Sequence, residues 1–151
     1  MEHSLLFMKL NDTSKREYNT WSTWGLIPAS RPTLAQPQPV YKYVDIPGRD
    51  GPLDMTDYLI GRPTYTDRKG TFEFYVDNTS ENWMARRANL AQFFDGTKMR
   101  LRFEDEQDGY CYFGRFFFRE WRPGPSYSSV VIEYEVQPYR YRMSDNTEAG
   151  L

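Results

Sequence analysis

Four aspartates, Asp45, Asp50, Asp54 and Asp57, lie within the stretch 44–63, which reads VDIPGRDGPLDMTDYLIGRP. Carboxylates this close together can bind a divalent metal ion or exchange protons as general acid and base. The same stretch holds three glycines and three prolines. Aspartate beside such residues often stabilises a turn by hydrogen-bonding its own backbone, which is the competing structural interpretation.

Residues that would complete a catalytic or metal site are scarce in the rest of the chain. There is one histidine, His3, and one cysteine, Cys111, so neither a Ser-His-Asp triad nor a structural zinc site is expected. Phosphate-binding glycine motifs are missing. The acidic run at 104–108 lacks the spacing of a calcium loop and is expected to be a solvated hairpin tip. We therefore expect no enzymatic activity, no metal and no cofactor.

Composition indicates a single soluble domain that is rich in aromatic residues. The chain has 151 residues with a formal net charge of −2, and it contains 12 Tyr, 10 Phe and 4 Trp. This length is typical of one domain, which we place at residues 1–141, followed by a polar tail at 142–151. Because no apolar run approaches the ~20 residues of a membrane span, we expect a soluble protein made in the cytoplasm, without a membrane partner.

Alternating apolar residues predict a mainly β fold. In the stretch TFEFYVD, Phe72, Phe74 and Val76 share one face. Similar alternation recurs at 97–104, 110–121 and 128–136, and in the last of these Glu133 and Glu135 lie opposite the apolar face. We expect about seven to nine strands in a two-sheet β-sandwich or partly closed barrel.

One flanking helix is expected at about residues 81–94. Ser80 is a suitable N-cap and Glu81 would lie in the first turn, where the helix dipole favours an anion. The dipeptide Asp95-Gly96 would end the helix, because glycine can adopt the left-handed conformation there.

Aromatic and arginine residues leave two binding functions open. Exposed tryptophans could stack on sugar rings, although burial in the core or between subunits explains them as well; the candidates are Trp21, Trp24 and Trp121. Arginines interleaved with aromatic residues could form a platform for single-stranded nucleic acid, although cross-strand pairing with glutamates explains them without a ligand. These arginines are Arg100, Arg102, Arg115 and Arg119.

Four segments resemble the distal tail proteins of siphophages and their prophage relatives. They are NTWSTWGLIPASRP (19–32), YVDIPGRDGPLDMTDYLIGRPTY (43–65), RKGTFEF (68–74) and VVIEYEVQPYRY (130–141). The VDIPGxDGxLD core and the QPYRY ending, close to the DPYKY usual in that family, are the most specific together. The resemblance covers Tyr18 to Tyr141 and implies a tail-tube-like β-sandwich with one flanking helix.

The resemblance also implies a structural role in the virion. Such proteins form a hexameric ring at the tail tip, which joins the tail tube to the hub or baseplate and leaves a central channel for DNA. The implied partners are further copies of the chain, the tail-tube protein and the hub protein, and the chain would be made in the host cytoplasm. Longer members carry a second, host-binding β domain, which is not expected here. A carbohydrate-binding β-sandwich module for host recognition remains the alternative.

By resemblance, the aspartate stretch is a signature of fold and ring assembly and carries no chemistry. We expect Val40–Tyr65 to form an extended hairpin and loop that packs on a neighbouring subunit or on the next ring. Glu133 and Glu135 are expected to line part of the channel. The expected interface residues are Tyr41, Tyr43, Asp45, Pro47, Gly48, Arg49, Asp50, Gly51, Leu53, Asp54 and Tyr58.

Overall fold

The computed structural model describes residues 3–58, 60–79, 82–106 and 109–151. Within these residues most of the regular structure is strand, which confirms the predicted mainly β class. The elements are β1 (Leu5–Lys9), β2 (Glu17–Asn19), α1 (Thr20–Trp24), β3 (Ile27–Pro28), β4 (Pro39–Val40), β5 (Tyr43–Val44), β6 (Leu53–Asp54), β7 (Thr64–Tyr65), β8 (Arg68–Asp77), α2 (Trp83–Phe93), β9 (Asp95–Phe103), β10 (Tyr110–Arg122), β11 (Tyr127–Val136), β12 (Arg140–Arg142) and β13 (Glu148–Gly150).

One large antiparallel sheet forms the body of the protein. Its strand order is β2-β1-β9-β10-β11-β8-β3, while β12 pairs with β10 and β13 pairs with β12. Two further ladders stand apart, β4 with β7 and β5 with β6. Among the described strands, the large sheet ends at β2 and β3 and does not close into a barrel. The large sheet with the small ladders beside it is consistent with the predicted mainly β sandwich.

The predicted alternation of buried and exposed side chains is confirmed on the longest strands. On β8, Phe72, Phe74 and Val76 are buried, whereas Glu73 and Tyr75 are exposed. The two strands β8 and β11 run antiparallel over their full length, so their apolar faces meet at the same side of the sheet. On β11 the buried residues are Val130, Ile132, Tyr134 and Val136.

The sheet bends around its own core. Strands β8 and β9 are separated by β10 and β11, which would place them about 14 Å apart in a flat sheet. The rings of Phe72 on β8 and Phe103 on β9 nevertheless have centroids only 6.3 Å apart. Helix α2 contributes Leu90 to this core. Phe94, the first residue after the helix, packs edge-on against Phe7, with ring centroids 4.9 Å apart.

The structure contains a short helix that the sequence analysis did not predict. The side chain of Asn19 accepts hydrogen bonds from the backbone N–H groups of Trp21 and Ser22, which caps the start of α1. Gly25 ends the helix in the left-handed conformation, with φ 69°. The predicted helix is α2, whose described part begins at Trp83, and its expected capping residues 80 and 81 lie outside the described residues.

The last residues of the chain pair with the body. Strand β13 lies within the segment that we expected to be a polar tail, and it pairs with β12. Tyr141 on β12 packs against Phe113 on β10, with ring centroids 5.4 Å apart. Beside them Cys111 is fully buried, and this burial raises the pKa of its thiol, which disfavours reactivity. That residues 1–141 form one domain stays a prediction. No helix in the described ranges is long and apolar enough to cross a membrane.

Candidate interaction site

Residues 39–65 form an antiparallel arm, with the geometry expected for Val40–Tyr65. At its base Pro39 pairs with Tyr65, in the ladder of β4 and β7. Further out Tyr43 pairs with Asp54, in the ladder of β5 and β6. Each ladder is two residues long, so the arm has little regular pairing of its own.

A tight turn forms the tip of the arm. The backbone N–H of Arg49 donates to the carbonyl oxygen of Ile46 at 3.1 Å. Gly48 and Gly51 take φ angles of 81° and 74°, a conformation that residues with a side chain rarely adopt. The glycines of the motif therefore serve the turn, and residues 45–51 are all exposed.

Asp54 forms a turn with Thr56. Its carboxylate accepts hydrogen bonds from the backbone N–H of Thr56 at 3.0 Å and from the Thr56 hydroxyl at 2.5 Å. These bonds, the hydroxyl bond first, hold the pKa of Asp54 below its usual value. The Thr56 hydroxyl in turn accepts a bond from the backbone N–H of Lys42 across the arm. The same aspartate-to-i+2 turn recurs at Asp12, Asp77, Asp95 and Asp145.

The described acidic residues also do not assemble a metal site. Within the described ranges, no cluster of three or more His, Cys, Asp or Glu side chains has the geometry to hold an ion. In the acidic run 104–108, Asp105 contacts His3 Nδ1 at 2.7 Å and Glu106 accepts a bond from Arg140 at 2.9 Å. His3 is thus tied to the body of the protein. Asp108 lies outside the described residues.

The arm displays exposed aromatic and aliphatic side chains on both of its strands. Tyr41 and Tyr43 are 59% and 58% exposed, and their rings lie 6.2 Å apart. On the returning side, Tyr58 is 75% exposed and Ile60 is 55% exposed. Contiguous exposed apolar groups of this kind mark interaction surfaces more often than isolated ones do.

All the expected interface residues fall on this arm. The structure places ten of them in exposed positions and leaves Leu53 half-buried. The exposed ones are Tyr41, Tyr43, Asp45, Pro47, Gly48, Arg49, Asp50, Gly51, Asp54 and Tyr58. Their contact with another subunit stays a prediction.

The root of the arm contains residues that the sequence analysis did not single out. Arg68, at the start of β8, is buried and donates hydrogen bonds to two backbone carbonyl groups. Arg62 lies on the returning side of the arm, three residues before Tyr65 at the base, and it contacts Tyr139 and Glu148 of the body. Hydrophobic alternation could not predict the burial of Arg68, because a charged residue at an inward-facing position does not add to the apolar pattern.

Glu133 and Glu135 lie exposed on the outer face of β11, as predicted. Their neighbours across the sheet include cations: Glu135 lies opposite Arg115 on β10 and opposite Lys69 on β8. The Lys69 ammonium is 3.8 Å from the Glu135 carboxylate. This face therefore carries both signs of charge. Its orientation toward a channel stays a prediction.

The candidate sugar-binding tryptophans differ in burial, with Trp21 and Trp24 on α1 and Trp121 on β10. Trp24 is buried in the core, and Trp121 stacks on Trp83 with ring centroids 6.0 Å apart. Trp21 is 39% exposed. The three do not form one exposed platform, which weakens the carbohydrate alternative.

Two of the candidate nucleic-acid arginines bind a carboxylate across the sheet. Arg102 makes a two-pronged contact with Glu17 on β2, at 2.8 and 2.6 Å, and Arg100 approaches the same carboxylate at 3.3 Å. Cross-strand pairing with a glutamate was the ligand-free explanation, and it applies to these two residues. The glutamate involved had not been singled out from the sequence.

Comparison with known proteins supports the resemblance at the level of the fold. No protein-family model matches this sequence, and no curated protein matches it. A solved structure that is similar is that of SPP1 Dit, described as a paradigm of the hub adsorption apparatus in phages that infect Gram-positive bacteria. The TM-score is 0.57 at 17% identity, and the match covers 91% of this chain and 52% of that one. The chain therefore spans about half the length of SPP1 Dit and shares its fold over that part, as the resemblance to distal tail proteins predicted.

Proposed function

We propose that this protein is a structural component of a phage tail that forms a hexameric ring at the distal end of the tail tube. The ring would join the tube to the hub or baseplate and leave a central channel for DNA. The observation that carries the proposal is an arm of exposed aromatic residues on a body with its own complete core. The shared fold with SPP1 Dit supports placing this arm in a tail assembly.

A ring requires two different surfaces on each copy. In a ring, one patch of each subunit binds a different patch on the next subunit. The ring closes when the rotations from copy to copy add up to a full turn. The arm supplies one such patch, because it extends away from the core and presents apolar groups that the chain itself leaves exposed. The partners are thus further copies of the chain, the tail-tube protein and the hub protein, and the location is the virion tail.

The proposed role is architectural and involves no catalysis. Five of the described aspartates form turns with the residue two positions on, and the lone cysteine is buried. DNA would pass through the channel without tight binding. A lining of mixed or acidic charge suits this, whereas a uniformly basic lining would hold the phosphates. Glu133 and Glu135, with Lys69 and Arg115 beside them, have this mixed character.

Native mass spectrometry of the purified chain tests the ring directly. We expect a mass of about 108 kDa, six copies of the 18.0 kDa chain. If the chain is monomeric alone, the same measurement is repeated with the tail-tube and hub proteins added. A chain that stays monomeric in their presence contradicts the proposal.

A deletion in the arm tests whether the arm makes the contact. Removing residues 49–54 should leave the thermal unfolding midpoint close to that of the parent, because the deleted residues lie outside the core. The same variant should fail to form rings. Intact rings from the deletion variant would show that the contact is made elsewhere on the molecule.

A further inference from the structure

A buried arginine joins three separate segments where the arm meets the body. The guanidinium of Arg68 donates through Nε and Nη2 to the carbonyl oxygen of Pro138, at 3.2 and 3.0 Å, and through Nη1 to that of Ala35 at 3.3 Å. Ala35 precedes the arm, and Arg68 follows it. The backbone N–H of Ala35 also donates to the Tyr134 hydroxyl at 2.8 Å. Both backbone groups of Ala35 are thus held by side chains of the sheet.

A second arginine ties the arm to the C-terminal strands. Arg62 donates a hydrogen bond to the hydroxyl of Tyr139, and its guanidinium lies 4.8 Å from the centre of that ring. The other prong of the guanidinium is 3.7 Å from the carboxylate of Glu148 on β13. The ring of Tyr65, at the base of the arm, meets Tyr139 edge-on at 6.0 Å.

We propose that Arg68 and Arg62 form a two-point clamp that fixes the direction of the arm relative to the body. Arg68 is the inner point of the clamp and Arg62 is the outer point. The outer point holds the arm against the hairpin of β12 and β13, because Arg62 contacts Glu148 on β13 and Tyr139 just before β12. The clamp deepens the proposed function, because a ring needs arms that all point the same way. The alignment itself is a property of the single chain and can be measured without a ring.

The arm needs such a clamp because it is long and weakly paired. A strand rises about 3.3 Å per residue, so the tip at Gly48 lies up to about 26 Å from Val40 at the base. At that length, a pivot of about 15° at the root moves the tip by about 7 Å. Ladders of two residues each do not hold a direction by themselves.

Arginine suits the inner point of the clamp for geometric reasons. Its planar fork can reach two carbonyl groups at once in fixed directions, whereas lysine presents a single ammonium on a flexible stem. Arg68 is only 6% exposed. Its buried charge is met by backbone carbonyl groups and by the ring of Tyr112, 5.6 Å away. Substitution by lysine would keep a long basic side chain and lose the fork.

Distance measurement between two spin labels tests the clamp in the isolated chain. One label is placed at the tip through Arg49→Cys and the other on the exposed face of the body through Lys98→Cys, in a Cys111→Ala background. We expect a narrow distance distribution for the parent. In Arg62→Ala and in Arg68→Lys the distribution should broaden or shift by about 7 Å, the displacement from a 15° pivot.

Matched variants separate positioning from general damage. Arg31→Ala removes another exposed arginine, in the segment that precedes the arm, and should leave the distances unchanged. Tyr139→Phe keeps the ring and removes the hydroxyl that Arg62 uses, so we expect a smaller broadening than in Arg62→Ala. Arg62 is a surface residue, with its side chain 49% exposed, so Arg62→Ala should keep the parent's unfolding midpoint even if Arg68→Lys does not.

The outcomes for the clamp and for the ring are distinguishable. An unchanged distance distribution in folded Arg62→Ala overturns the clamp, whether or not rings form. A broadened distribution supports the clamp, and ring formation by the same variant is then scored separately by native mass. If the arm loosens and rings still form normally, the clamp stands as a property of the chain and its importance for the proposed assembly is refuted.

Discussion

Two tyrosines of equal exposure offer a matched test of the arm. Tyr43 on β5 and Tyr127 on β11 are each 58% exposed, and both lie in strands. Tyr43 belongs to the arm, whereas Tyr127 belongs to the sheet of the body. We predict that Tyr43→Ala weakens ring assembly and that Tyr127→Ala does not. Both substitutions should change the stability of the single chain by no more than about 0.5 kcal/mol, because both side chains are exposed.

The size of the effect follows from the exposed area. An aromatic side chain buries about 150–250 Å² when it is fully covered, so 58% exposure leaves about 90–145 Å² available at a contact. At about 25 cal/mol per Å², covering this area stabilises each contact by about 2–3.5 kcal/mol. Losing it weakens each contact by about 30- to 300-fold. Since the ordering of the partner opposes part of this gain, these values are upper bounds.

Native mass spectrometry over a dilution series measures this effect. The parent and Tyr127→Ala should dissociate at similar concentrations, and Tyr43→Ala should do so at a concentration higher by one to two orders of magnitude, within the range above. If the tail-tube protein is needed for assembly, it is added to all three. Equal behaviour of the three proteins, or a larger effect of Tyr127→Ala, would show that the arm is not the contact surface.

Three further substitutions test the core, a cross-strand ion pair and the proposed channel face. Phe74→Ala should lower the free energy of unfolding by about 3–5 kcal/mol in urea titration, because Phe74 is 1% exposed in the core; a loss below about 1 kcal/mol would contradict the core assignment. Glu17→Gln should cost about 1–2 kcal/mol at pH 7. Bonds from Arg102 hold the pKa of Glu17 below its ordinary value, so this stabilisation is present above about pH 4.3 and is lost as the pH falls through the folded-state pKa. The difference between parent and variant should therefore shrink in acid, and a constant difference would refute this cause. Glu133→Lys with Glu135→Lys should raise the affinity of rings for DNA in a salt-dependent way, measured by fluorescence anisotropy; unchanged affinity would place these residues away from the channel.

The long strands could be predicted because their burial follows a simple alternation. Over 72–76 on β8 and over 130–136 on β11 every second residue is apolar and faces the core, so the alternation is enough to place these strands. The pairing of β8 with β11 could not be predicted in this way. These strands are separated in sequence by α2, β9 and β10, and alternation does not state which strands become neighbours. The sequence therefore predicted the class of the fold and the long strands, but not the order of the strands in the sheet.

The helix α1 and the root of the arm had weaker signals. Five residues, Thr20–Trp24, are too few for a helical period to show, although the Asn19 cap and Gly25 stop were visible in the sequence. Arg68 was unremarkable because its partners are backbone carbonyl groups of residues 35 and 138, far away along the chain. A local sequence pattern cannot predict a hydrogen bond from a side chain to backbone groups that are distant along the chain.

The arm itself was predictable as a hairpin, since prolines, glycines and aspartates at fixed positions specify turns. A contact with a partner could not be predicted from those residues alone, because turn formers have the same composition whether or not the turn touches a partner. The structure adds exposure: Tyr41, Tyr43 and Tyr58 remain more than half accessible. Exposure distinguishes the tyrosines of the arm from those of the core, such as Tyr134. Composition alone does not make this distinction.

The distribution of aromatic residues connects the fold to the proposed function. Phe7, Phe74, Phe94 and Phe116 are fully buried and are enough, with the aliphatic residues around them, to give the body a core of its own. The tyrosines of the arm add nothing to that core, so folding of the single chain does not explain them. Ladders of two residues also give the arm little stability. In the proposed ring, a neighbouring subunit would cover these exposed side chains and so supply the apolar burial that the arm lacks in the single chain.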